Sequence, residues 1–237
     1  MSSPAAAIKA ELAELADPEQ AEVLQRFFKT GPGEYAEGDV FIGVRVPELR
    51  RVARAHRTAS TVTCRGLLAS EVHEHRFVAL AILCRQYERA DAAERERIAD
   101  LYLACRDRVN NWDLVDSSAE YLLADRVARA PRKLLDPLLR SEVLWDRRIA
   151  VLATFALVKR GSFEQTLRVC AALLGDTHDL IHKATGWMLR EVGKRDEAPL
   201  REFLDRHAAE MPRTMLRYSL ERLPAADRKH YMAAGKR

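Results

Sequence analysis

Apolar positions recur at helical intervals along nearly the whole chain, and the alternation expected of half-buried strands is almost absent. Asp17-Pro18-Glu19 supplies a helix start, with Asp17 as N-cap and Pro18 in the first turn of a helix reaching about Lys29. Residues 31–39 form the longest loop, read as an insertion over 31–40. Phe41 to Val46 then leads into Pro47, which opens a helix rich in arginine (Arg50, Arg51, Arg54, Arg57). Thr58 to Thr63 is the one candidate strand, and it is too short. Gly31, Pro32, Gly33, Pro131, Gly161, Gly175 and Pro212 fall between the periodic segments and punctuate them.

A repeat emerges from residue 74 to about 222. Helices of similar character begin near Arg76, Trp112, Arg148 and Lys183, at spacings of 36, 36 and 35, and a fifth follows at Arg213 after 30. Shorter helices such as 132–139 and 163–174 lie between them. Paired helices at this interval predict an all-α fold: an α-solenoid of HEAT-like repeats, curved, forming a single domain over 1–237. Equivalent positions on successive inner helices would line the concave side. Three of the four recurring residues are basic (Arg76, Arg148, Lys183), which predicts a basic groove in which helix N-termini add partial positive charge.

One helix carries an unusual polar face. At about 100° per residue, Leu180, Ile181, Ala184, Met188 and Val192 gather into a stripe to be buried. Lys183, Trp187, Arg190 and Lys194 gather within roughly 60° of one another on a different side. A bulky aromatic among long cations suits nucleic acid, with charge for phosphates and an apolar plane for a sugar or base. The plainer alternative is a snorkelling basic face with a partly covered indole.

Composition narrows the class. With 237 residues, 48% hydrophobic and 31% charged, the chain can bury a substantial core and is not of disordered type. No apolar run approaches the roughly 18 residues of a membrane span. The first fifteen residues carry acids and no signal-peptide pattern. Cys64, Cys84, Cys105 and Cys170 are scattered, without metal-ligand or disulfide-scaffold spacing. The net charge of +4 is uneven. Residues 1–118 hold 16 Lys and Arg against 19 Asp and Glu, and residues 119–237 hold 23 against 16. A basic C-terminal half permits an anionic partner.

Three segments combine into candidate chemistry. Trp112 and Asp116 stand at i and i+4, so they share one side of a helix, whereas Asp113 and Asp116 also suit the helix dipole as first-turn acids. Trp145-Asp146-Arg147-Arg148 precedes a helix apolar nearly all round, and Arg148 at its end could clamp a phosphate. The Trp187 face is the third segment. Were the repeats to stack in order, a carboxylate would stand between two indoles in a cationic groove. Such a site suits a reaction whose transition state places positive charge on a sugar.

At these residues the chain resembles the HEAT-like DNA alkylation repair glycosylases of bacteria. The resemblance rests on Trp112-Asp113-Leu114-Val115-Asp116, Trp145-Asp146-Arg147-Arg148 and Lys183-Ala184-Thr185-Gly186-Trp187-Met188-Leu189-Arg190-Glu191. Weaker similarity covers residues 41–47 and 211–218, so that most of 20–220 is spanned in order. It implies removal of positively charged 3- and 7-alkylated purines from double-stranded DNA, without base flipping. No metal or other cofactor is expected, because the acidic residues are spread singly and no cluster of His and carboxylates stands out. The resemblance also implies Asp116 as catalytic carboxylate, Trp112 and Trp187 beside the lesion's deoxyribose, and Arg148 and Arg190 near the backbone. Phe27 falls where a member of that family carries a tyrosine near the DNA, so a contact there would be apolar. Arg76, Lys183 and Lys194 complete the expected DNA-binding set. A monomeric protein of the bacterial cytoplasm, associated with the nucleoid through DNA, is expected. Two other classes fit less closely: a non-catalytic HEAT-like protein binding damaged or branched DNA, and a helical protein–protein scaffold.

Overall fold

The computed structural model describes residues 3–234; residues 1–2 and 235–237 of the expected span lie outside it. Among the described residues there are seventeen α-helices, one 3-10 turn and no strand, only an isolated bridge between Val40 and Val72. The fold is all-α, as expected. Its helices group into two compact units that divide between Leu122 and Leu123.

The first unit holds α1 (Pro4–Glu14), α2 (Pro18–Phe27), α3 (Val46–Ala55), α4 (Thr61–Leu68), α5 (His73–Arg89), α6 (Ala92–Ala104), the 3-10 turn Arg106–Arg108, α7 (Trp112–Asp116) and α8 (Ala119–Leu122). α5 is its axis, because α3, α4, α6 and α8 all pack against it. It is therefore apolar almost all round, with Phe77, Val78, Ala79, Leu80, Ile82 and Leu83 buried. Thr61 to Thr63, within the one candidate strand, instead open α4. Ser60 caps that helix by accepting from the Thr63 amide at 3.2 Å. Asp17 caps α2 in the same manner through the Gln20 amide.

The segment between α2 and α3 is non-helical from Phe28 to Arg45, longer than the expected insertion over 31–40. It is pinned at its far end. The Glu74 carboxylate accepts from the amides of Ile42 (3.0 Å) and Gly43 (2.9 Å), and the Asp17 amide donates to the Ile42 carbonyl. Gly43 has φ +84°, and a Cβ there would lie 2.0 Å from the Asp17 carbonyl oxygen, so only glycine fits.

The second unit holds α9 (Ala124–Arg129), α10 (Pro131–Leu139), α11 (Leu144–Ala153), α12 (Phe155–Val158), α13 (Glu164–Ala172), α14 (Asp179–Gly193), α15 (Glu197–His207), α16 (Arg213–Ser219) and α17 (Ala225–Ala234). α11, α14 and α16 pack in succession, with α10, α13 and α15 flanking them. Ile181, Ala184, Met188 and Val192 are buried as expected, Leu180 at the start of the stripe is only half-buried, and Thr185, Gly186, Leu189 and Glu191 widen the buried face of α14. Gly186 permits close approach, since a Cβ there would meet the Met215 carbonyl oxygen and Tyr218 Cβ of α16 at 2.6 Å.

The recurring residue has a structural explanation that corrects the groove expectation. Arg76 donates to the carbonyls of Ser70 and Glu71, each at 2.9 Å. Arg147 donates to those of Ser141 and Glu142 at the same distance, and His182 meets the Asp176 carbonyl at 2.6 Å. In each case a side chain six positions on closes the turn that opens its helix, and Ser70 and Ser141 also accept from the amides of Val72 and Val143. The turn-closing residues are therefore Arg76, Arg147 and His182, the last two standing one residue before Arg148 and Lys183, whereas Trp112 is the first residue of its helix. These three side chains satisfy carbonyls exposed by the turn that precedes their helix.

Candidate nucleic-acid interface

In the first unit Trp112 begins α7, where Asn111 is the N-cap and accepts from the Trp112 amide at 2.8 Å. The indole is half-buried and rests on an aromatic stack. Phe28 lies parallel to it at 5.2 Å, Phe41 stacks on Phe28 at 4.9 Å, and His73 stacks on Phe41 at 4.4 Å. Phe27 stands edge-on to Trp112 at 6.1 Å and is 61% exposed. An exposed phenyl beside a supported indole makes an apolar surface of the kind a sugar or base can cover.

Beneath this surface lies a buried charge cluster. His73, 2% exposed, bridges two carboxylates, with Nε2 2.8 Å from Asp113 Oδ2 and Nδ1 3.3 Å from Asp39 Oδ2. Asp39 Oδ1 also accepts from Arg76 (2.7 Å) and Asn110 (2.8 Å). Burial opposes the charge on His73, but Asp113 and Asp39 outweigh it and push the imidazolium pKa up to about 8. Burial alone would raise the Asp39 carboxyl; His73, Arg76 and Asn110 together hold it below its ordinary range. The second oxygen of Asp113 accepts from the Leu114 amide at 2.8 Å, so both of its oxygens serve structure. Asp116, one turn further on, is half-buried, on the side of α7 that Trp112 shares.

Arg76 was expected at a DNA phosphate, and its placement corrects that. It is 1% exposed and spends its guanidinium on Asp39 and two carbonyls, leaving nothing to offer solvent. Arg148 is corrected on the same ground: it is 4% exposed and donates to the Leu180 carbonyl. Arg147, its neighbour, is also engaged, with Asp176 at 2.7 Å.

In the second unit the polar face of α14 is built around a carboxylate. Glu191 accepts from the Trp187 indole at 3.2 Å and from Lys194 at 2.6 Å through one oxygen, and from Arg195 at 3.0 Å through the other. Burial raises its pKa, but these three donors outweigh that and hold the carboxyl below its usual range. The Trp187 ring is half-buried and edge-on to Phe155 at 5.7 Å. Lys159 and Arg195 lie over Phe155, 4.6 and 5.7 Å from its centroid. Lys183 pairs with Asp179 at 2.7 Å, and Arg190 pairs with Glu221. Trp187 and Lys194 are thus brought together, while Lys183 and Arg190 are tied to separate acids.

Several of these residues escaped the sequence reading. Glu191 was within reach of it, because it stands i+4 from Trp187 and i−3 from Lys194. Phe28 adjoins Phe27 and could have been noticed. His73, Asp39 and Phe155 carry no local signal, because their partners come from other segments. Among the described residues no group of three or more His, Cys, Asp or Glu is placed to hold a metal ion, and no helix is long and apolar enough to cross a membrane.

Among solved structures, a predicted DNA alkylation repair enzyme from Enterococcus faecalis superposes with a TM-score of 0.69, at 17% sequence identity, over 89% of this chain and 97% of that one. At that identity the likeness shows a shared fold. No curated protein matches the chain. The family model described as DNA alkylation repair enzyme matches residues 8–223, nearly the full length, and the chain belongs to that family.

Proposed function

We propose that this protein is a DNA N-glycosylase that hydrolyses the bond between deoxyribose and a positively charged 3- or 7-alkylated purine. Family membership implies DNA as the partner. The observation that supports the finer reading is that Trp112 and Trp187 are each held half-exposed by groups built behind them. Phe28 and the stack below it hold the first, and Glu191 holds the second. An indole whose only task was to fill a core would need no such mounting.

In this reading Asp116 stabilises the charge that develops on the deoxyribose, Trp112 beside it offers the sugar an indole face, and Trp187 is the aromatic DNA contact of the second unit. The C1′–N bond breaks, and its electron pair leaves with the purine, cancelling the base's formal charge. A water oxygen bonds to C1′ and its proton passes to Asp116 or solvent, leaving an abasic site. No general acid is required, because the cationic base is already a good leaving group. Phe27 would supply apolar contact, and Lys183, Arg190 and Lys194 would exchange their carboxylates for phosphates. Action as a monomer on duplex DNA, without base flipping, belongs to the same proposal.

The test is Asp116→Asn, with release of 7-methylguanine from methylated duplex DNA measured beside duplex affinity. Excision should fall about 10²–10³-fold, the cost of one lost electrostatic stabiliser, while affinity stays near the parent's. Undiminished excision rejects the assignment. A parent that binds methylated duplex but releases no base would instead be a non-catalytic DNA binder.

A further inference from the structure

His73 opens α5, yet its ring lies between a carboxylate of the α2–α3 segment and one of α7. We propose that His73 is a positioning residue: as an imidazolium it ties Asp113 to Asp39, and so sets the orientation of α7 and of the Trp112 and Asp116 side chains that α7 carries. This rests on the reading that Trp112 and Asp116 meet the lesion.

Three features carry it. α7 is only five residues long, so its own ladder is too short to hold its direction. Its first turn is tied to α5 and the α2–α3 segment by the Asp113–His73–Asp39 bridge, beside the stacking of Trp112 on Phe28 and the burial of Leu114 and Val115. His73 also lies beneath the aromatic stack, on Phe41 at 4.4 Å and Phe28 at 5.3 Å, and Phe28 is the ring that supports Trp112. One side chain thereby supports the indole from below and anchors its backbone from the side. A displacement of about 1 Å at such a site can cost on the order of 10²-fold in rate.

The charged groups around the ring determine when it acts. Asp113 from α7 and Asp39 from the α2–α3 segment favour the imidazolium, and Arg76 on α5 opposes it from across Asp39. Glu74 on α5 is occupied by the amides of Ile42 and Gly43, and Arg108 acts on Arg76. The balance favours the charged ring up to pH about 8, so the bridge holds below that and loosens above. Once the proton is lost, the ring can donate to only one of its two carboxylates.

The experiment follows the full chain from pH 6 to 9, measuring single-turnover excision of 7-methylguanine together with the 19F resonance of fluorotryptophan at position 112, assigned by its loss in Trp112→Phe. In the parent both should change with a midpoint near 8. His73→Asn should abolish that transition in both and lower excision by about 10–100-fold, with duplex affinity changed far less. Asp113→Asn, which removes the main support for the charge, should move the transition to lower pH. A merely stabilising ion pair would change the melting temperature in these variants and leave the shape of the pH profile alone. If His73→Asn keeps the parent's excision rate, profile and 19F shift, the proposal is overturned while the glycosylase reading stands. If the parent releases no base but its Trp112 signal still titrates through His73, the glycosylase reading fails and the positioning role survives.

Discussion

His73 shows what one buried ring costs and returns. Desolvation works against its charge, and two carboxylates more than restore it, lifting the pKa from 6.5 to about 8. A group whose pKa is higher in the folded state contributes its full stabilisation below the unfolded value. That contribution is lost as pH rises through the folded one. The window here is therefore pH 6.5 to about 8 and slightly beyond, and the contribution is about 2 kcal/mol. Urea midpoints measured across this window should fall with rising pH in the parent and stay nearly level in His73→Asn. A parent midpoint that is flat, or that rises, would mean that the imidazolium is not the favoured form.

Helices in this protein meet through a few positions where nothing larger fits. α14 approaches α16 at Gly186, where the obstacle to a side chain is backbone as well as Tyr218 Cβ, and backbone cannot swing aside. Gly186→Ala should therefore destabilise the fold by about 1–3 kcal/mol despite alanine's better helix propensity. Thermal melts would detect this, and a variant as stable as the parent would show that α16 can slide. The turn-closing residues act differently. Arg76, Arg147 and His182 each spend donors on the carbonyls of the turn before their own helix, so the repeat period records a backbone requirement and not a ligand.

Charge is distributed by unit. The first unit, to Leu122, carries 16 Lys and Arg against 20 Asp and Glu, a net of −4, and the second carries 23 against 15, a net of +8. Attraction to DNA should accordingly come from the second unit. Its cations on α14 are already paired, however, Lys183 with Asp179, Arg190 with Glu221 and Lys194 with Glu191. A phosphate must displace a carboxylate from each, which reduces the net gain. Lys194→Gln should then flatten the plot of log affinity against log salt by no more than about 0.9, the value for one phosphate contact. A slope identical to the parent's would remove Lys194 from the interface.

Helical periodicity, caps and breakers are local matters, and they can be read from the chain alone. Asp17-Pro18 starts α2, and the stripe through Ile181, Ala184, Met188 and Val192 is buried. The period near 35 residues is legible for the same reason, since each repeat meets the same packing problem. Whether a basic residue faces solvent is not local. Arg76 and Arg148 look like any other helical arginine until a carboxylate 37 positions upstream or a carbonyl 32 positions downstream claims the guanidinium. The same holds for His73, which is unremarkable in one dimension and becomes a bridge only when Asp39 and Asp113 arrive from separate segments. Local pattern depends on side-chain spacing along one helix, whereas burial and pairing depend on which distant segments pack against it, and only the folded chain specifies those.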